Sequence, residues 1–169
     1  LLGAAPDPSR GLLGTRPDDP VAQLITARSH PDLLVLERAV EGGKTKKSIS
    51  VDQARDLPEF FSKSPSQAKY RVAIIDAADD LNLNAANALL KVLEEPPERG
   101  VLFLVTHAPG RLLATIRSRC RTLRLGPLGQ GDMEAALRTI IPEATPRELA
   151  GLAKAAGGAP GRALAYQGL

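Results

Sequence analysis

Residues 70–120 read YRVAIIDAADDLNLNAANALLKVLEEPPERGVLFLVTHAPGRLLATIRSRC, and their order decides the fold. An apolar run from Val72 to Ile75 ends on an acid, Asp76, and a helical pattern from Asn84 to Glu95 stops at the Pro96-Pro97 pair. A second apolar run, Val101 to Val105, ends on Thr106 and His107. A short amphipathic segment then delivers Ser118-Arg119-Cys120. Strands alternating with helices build a parallel sheet, so the stretch reads as half of a nucleotide-binding α/β domain. Ligands of such sheets sit beyond the carboxyl ends of the strands, where Asp76, Thr106 and His107 all fall. Arg119 comes one helix later, at a domain edge, a position suited to an arginine offered to a neighbour.

The chain's 169 residues suffice for a one- or two-domain soluble protein. No apolar run approaches the ~20 residues of a membrane span, and no signal peptide opens the chain. A net charge of +3, with acids interleaved among the bases, is too small to imply nucleic-acid binding by this chain alone. Aromatics at 3% argue against a base-stacking platform for single strands. The single cysteine, Cys120, excludes an intrachain disulfide and a cysteine-rich zinc module, which points to the cytoplasm. The chain opens at Leu1 without Met and in mid-pattern, and is read as a fragment.

On the N-terminal side, residues 1–16 are rich in Gly and Pro and read as loop. Asp18-Asp19-Pro20 supplies a cap and an N1 proline for a helix to about Arg28. His30-Pro31-Asp32 is a turn in which His30 bonds locally, and Leu33 to Leu36 is a buried strand. Gly43-Lys44-Thr45 imitates the second half of a phosphate loop, but the first glycine of that pattern would stand at Arg38, so the tract reads as a hairpin-like loop. Ser50 and Gln53 form a capping box before a helix carrying Val51, Ala54, Leu57, Phe60 and Phe61, which Pro58 should kink or split. On the C-terminal side, Leu123-Arg124-Leu125 is a last short strand. Helices follow over Asp132 to Ile141, after the Thr145/Glu148 capping box, and from Pro160 with Leu164 and Tyr166.

The words NAANALLKVLEEPP and ATIRSRC resemble the bacterial clamp-loader subunits of the AAA+ class, over most of the chain from about His30 onward. The resemblance implies a partial AAA+ (RecA-like) parallel sheet flanked by helices over residues 1–127, lacking the phosphate loop, and a small all-helical lid domain over 128–169. The missing first strand and phosphate loop, and a C-terminal collar domain, are expected elsewhere in the full protein.

A hydrolysing site of this class needs two adjacent acids after its strand, one to help hold magnesium and one to polarise water. Asp76 fills the first place, as a degenerate Walker B acid or simply as a strand-end carboxylate bonded to local N–H groups. The second place is Ala77, whose methyl group can do neither job. Asp79 and Asp80 read as residues that cap or solvate the following turn. Ala77 favours the branch that does not hydrolyse ATP, the delta-prime subunits, and the absent four-cysteine module implies a zinc-free form. No metal or cofactor is then expected in this chain, ATP and magnesium belonging to the neighbouring subunit.

The resemblance makes Arg119 an arginine finger acting in trans, against the ordinary reading of a surface arginine paired with a local acid. Ser118 would cap the helix end or set the arginine's rotamer, and Cys120 is a small buried apolar residue. Thr106 takes the sensor 1 position, or is a relic bonded to backbone. His107 is structural. Arg162 lies near sensor 2, or is a solvent-facing helix residue. Asn84, read as an N-cap, shares a helix face with Asn87 and Lys91; Lys91 would meet DNA phosphate in an assembled ring or, more simply, pair with Glu94 or Glu95. The implied partners are the gamma/tau and delta subunits of the loader and, through the complex, the sliding clamp and primer-template DNA. Three rival readings are a hydrolysing gamma/tau-type subunit, an AAA+-scaffold interaction module outside replication, and a phosphate-loop enzyme using Lys44.

Overall fold

A computed structural model describes residues 1–10 and 14–167. The chain forms two compact units, Leu1–Arg121 and Thr122–Leu169.

In the first unit, α1 (Pro20–Thr26) starts where Asp19 accepts from the Ala22 N–H at 2.8 Å, with Pro20 at the first helical position. It stops two residues before the expected end, because Arg28 takes a left-handed conformation (φ 54°). The Ser29 N–H returns to Leu24 O and the Arg28 N–H to Ile25 O, closing a Schellman motif. Strand β1 (Leu33–Leu36) follows. Strands β2 (Val40–Glu41) and β3 (Lys44–Thr45) then pair antiparallel across Gly42 and Gly43, both at positive φ. Two such residues are what a tight hairpin turn requires, so the glycine-lysine tract is a hairpin rather than a phosphate cradle.

Helix α2 (Val51–Ser62) opens on the Ser50/Gln53 capping box and runs unbroken through Pro58. The expected split does not occur. An interior proline costs about 3 kcal/mol, whereas Leu57 and Phe61, buried on either side of it, contribute about 1.5–3 kcal/mol each. Packing therefore holds the helix together. Strand β4 (Arg71–Ile75), helix α3 (Leu83–Glu94), strand β5 (Gly100–Leu104) and the short α4 (Ala114–Arg117) complete the unit.

The sheet is parallel with order β1-β4-β5, and its registers place Val35 beside Ile74 and Ile74 beside Phe103. One face carries Leu36, Ala73 and Ile75, with Leu34, Leu102 and Leu104, onto Leu57 and Phe61 of α2 and Ala86, Leu89 and Val92 of α3. At the amino edge of the sheet lies a buried charge cluster. Asp32 Oδ1 accepts from Ser66 N–H (2.7 Å), and Oδ2 accepts from Gln67 N–H (2.7 Å) and Ala68 N–H (2.9 Å). Arg71 Nη2 stands 3.5 Å from Oδ1, while its Nε and Nη1 donate to Ser64 O and Phe60 O. Burial works against the Asp32 charge, but the three N–H groups and the guanidinium outweigh it and hold the carboxyl below its ordinary range. His30, also buried, accepts from the Asp32 N–H through Nδ1 at 3.1 Å, the local bond expected of it.

The second unit packs α5 (Gln130–Ile140), α6 (Pro146–Ala156) and α7 (Pro160–Gln167) around Met133, Leu137, Ile141, Leu149, Ala153, Ala156 and Ala163. The Thr145/Glu148 box opens α6, and Gly157, left-handed at φ 58°, ends it. From α7 it is Ala163 that enters the core, while Leu164 and Tyr166 stay exposed. Leu123-Arg124-Leu125 is no strand. Leu123 and Leu125 are 83% and 88% exposed, since no described strand offers them a backbone partner.

Candidate functional site

The carboxyl ends of β4 and β5 lie side by side, because Ile75 pairs with Leu104. Asp76, Thr106 and His107 therefore meet at one sheet edge, as their positions in the sequence imply. Asp76 sends its backbone N–H to Leu36 O at 2.9 Å. Its side chain is exposed and makes no hydrogen bond among the described residues, so of the two readings of Asp76 the carboxylate bonded to local N–H groups is not what the structure shows. Ala77 is buried, leaving a methyl group at the second acid's place.

The caged acid is Asp79 instead, in a 3-10 turn over Ala78–Asp80. Its Oδ1 accepts from the Thr106 hydroxyl at 2.7 Å, and Oδ2 accepts from His107 N–H (2.7 Å) and Ala108 N–H (3.3 Å). Partial burial pushes the Asp79 carboxyl upward, but the Thr106 hydroxyl and the two N–H groups prevail and lower it. Asp79 thus ties the turn after β4 to the end of β5, rather than capping or solvating the turn. Thr106, read as sensor 1 or as a backbone-bonded relic, gives its hydroxyl to this carboxylate. Asp80 pairs with Arg38 at 3.1 Å, which uses the arginine found in the missing glycine's place.

Arg119 follows α4 at the surface of the first unit. Nη1 donates to Thr115 O at 3.0 Å, and Nη2 donates to Glu94 Oε1 at 3.1 Å. The pair is 37% and 52% exposed. In this chain Arg119 is therefore a surface arginine with a local acid as partner. Ser118 is the C-cap of α4, and its Oγ donates to the same Thr115 O at 3.2 Å. Cys120 packs half-buried against the core, and burial raises its thiol pKa. Arg162 lies exposed on α7, with no side-chain hydrogen bond among the described residues.

On α3 two expectations fail. Asn82, not Asn84, is the N-cap, accepting from Ala85 N–H at 2.8 Å, because the helical backbone starts at Leu83. Lys91 makes no ion pair among the described residues, with either Glu95 or Glu94, the latter pairing with Arg119. Asn84, Asn87 and Lys91 do share an exposed face, opposite the buried Leu89 and Val92.

Asp79 and Asp32 are the acids that sequence reasoning passed over. A signal existed for Asp32: Leu33 pairs with Val72, so Asp32 and Arg71 stand opposite each other at the heads of neighbouring strands. For Asp79 the signal was an acid in a tight turn beside a strand ending on Thr106. No helix among the described residues is long and apolar enough to cross a membrane.

Comparison with known proteins agrees with this geometry. A family described as "DNA polymerase III, delta subunit" matches residues 16–129. The delta-prime subunit of DNA polymerase III from Pseudomonas aeruginosa is 39% identical over 138 residues, covering 82% of this chain and 41% of that protein. The delta-prime subunit from Bacillus subtilis is 42% identical over 113 residues, covering 67% and 32%. The tau subunit of Bacillus subtilis is 39% identical over 97 residues, covering 57% and 16%. The chain therefore spans less than half the length of these relatives. A crystal structure of a DNA polymerase III gamma-subunit-related protein from Thermotoga maritima superposes with a TM-score of 0.55 at 24% identity, covering 79% of this chain and 48% of that one, a likeness of fold. With the parallel β1-β4-β5 sheet, its flanking helices and the helical second unit, these matches identify a partial AAA+ fold, and the chain belongs to the delta-prime clamp-loader family of DNA polymerase III.

Proposed function

We propose that this chain serves a DNA polymerase III clamp loader as its non-hydrolysing subunit, donating Arg119 in trans to the ATP site of a neighbouring gamma/tau subunit. The observation that carries the first half is Ala77, a buried methyl group where a hydrolysing site places its water-polarising acid. The Thr106 hydroxyl supports the same reading, since Asp79 already holds it. This edge does not fit a catalytic magnesium nucleotide, and no hydrolytic step is assigned to it.

The second half rests on Arg119, exposed after α4 in the motif Ser118-Arg119-Cys120. Phosphoryl transfer spreads negative charge over the transferred group's oxygens, and a planar, permanently charged guanidinium can meet two of them at once. ATP and magnesium belong to the neighbour's site in this reading. The gamma/tau and delta subunits are the direct partners, and the sliding clamp and primer-template DNA are reached through the complex. The test is DNA-stimulated ATPase activity of a loader reconstituted from full-length subunits, with this one intact or Arg119→Ala. A finger of this kind contributes about 10³–10⁵ in turnover in related phosphoryl-transfer systems. A clear fall at unchanged assembly supports the proposal, and unchanged turnover in an intact complex refutes it.

A further inference from the structure

We infer that Glu94 is a positioning residue for Arg119, holding the guanidinium in one orientation before it meets its anionic target. The inference rests on the finger reading above and adds to it a residue on a different helix. Glu94 is the last residue of α3, and Glu95 is its C-cap. Acids at a helix C-terminus face the negative end of the helix dipole and work against the helix, so helix stability does not account for Glu94. Lys91, one turn back and well spaced to neutralise it, makes no ion pair among the described residues. The Glu94 carboxylate is matched by Arg119, 3.1 Å away and 25 residues on.

Arg119 is thereby fixed at two points on two elements. Thr115 O, in α4, takes Nη1, and Glu94, at the end of α3, takes Nη2. A guanidinium held by one carbonyl can still swing about its stem; a second acceptor on another helix narrows that freedom. The remaining N–H donors stay available to an incoming phosphoryl oxygen. Both partners are exposed, so the tether is weak enough to adjust when that oxygen arrives.

The test is a double-mutant cycle in the loader reconstituted from full-length subunits, with this subunit intact, Glu94→Gln, Arg119→Ala, or both. Glu94→Gln is expected to lower DNA-stimulated turnover about two- to fivefold, as suits an exposed pair, with the KM for ATP unchanged. In the Arg119→Ala background the same change should do nothing further. No effect of Glu94→Gln, while Arg119→Ala lowers turnover, overturns the positioning role and leaves the finger standing. An equal fall in both backgrounds makes Glu94 a residue of fold or assembly, which also overturns it. Unchanged turnover with Arg119→Ala refutes the finger itself, and the positioning role with it.

Discussion

Replacing Asp32 by Asn tests the claim that the amino edge of the sheet is held by one buried carboxylate. The amide keeps the shape but has one accepting oxygen, where Asp32 uses two to accept from Ser66, Gln67 and Ala68. At least one of these part-buried N–H groups then faces an NH₂ group and goes unpaired, at about 1 kcal/mol. Arg71, buried and deprived of its only anionic neighbour among the described residues, adds to the loss. Breaking a buried pair from one side costs about 3–5 kcal/mol, and we take about 3 kcal/mol as the expected total because Ser64 O and Phe60 O still hold the guanidinium. Urea unfolding of the full-length protein, followed by far-ultraviolet circular dichroism, measures it. With a slope of about 1–3 kcal/mol per molar urea, the midpoint of the transition containing the sheet should fall by about 1–3 M. The pH dependence gives a second reading. The Asp32 carboxyl is lower in the folded state than in the unfolded chain, so its stabilisation is present above the ordinary Asp range near pH ~4 and disappears as pH falls through the lower folded value. Asp32→Asn should lose that part of the acid sensitivity. A midpoint shift worth less than about 1 kcal/mol, or an unchanged acid profile, would show that the loop over 64–68 holds without its carboxylate.

Three further outcomes follow from the contacts at the opposite edge of the sheet and on α3. Asp79→Ala should leave the Thr106 hydroxyl and two N–H groups without their acceptor and cost about 1–2 kcal/mol in this half-buried place; amide exchange at His107 and Ala108 should speed up about tenfold, and unchanged exchange would deny Asp79 its role. Asn82→Ala should cost about 1 kcal/mol as a lost N-cap, whereas Asn84→Ala should stay within about 0.5 kcal/mol; thermal unfolding of the two variants separates the candidates. Turnover of the reconstituted loader reads Arg119 and Glu94 together through the cycle described above.

What was legible in the sequence was local or periodic. Asp19, Ser50 with Gln53, and Thr145 with Glu148 find their partners within three residues, so their caps could be read directly. The three apolar runs became the three parallel strands for the same reason. Asp79 was hidden because its partners lie 27 to 29 residues away, and Asp32 because its partners lie 34 to 36 away. Only the pairing of β4 with its neighbours brings those groups together. Pro58 does not split α2, because local propensity yields to the burial of Leu57 and Phe61. Leu123 to Leu125 misled in the other direction, since strand-like residues form no strand without a neighbour. At the site, the motif carried Arg119 and Ser118, but not Glu94, whose charge looked committed to Lys91 along its own helix.

Strand β5 has a consequence at the bench. Among the described residues it forms an edge of the sheet, and from Gly100 to Val105 the chain offers GVLFLV, with neither a charge nor a proline to blunt it. Phe103 is 46% exposed, on the face opposite the α2–α3 layer. A bare apolar edge is a template that recruits any strand in reach. In dilute solution the nearest strand belongs to another copy of the same chain, so concentration, more than temperature, sets how long these residues stay dispersed on their own. A charged residue at Phe103, pointing away from the core, is the substitution that would make this chain easier to handle while leaving Arg119 and Glu94 untouched.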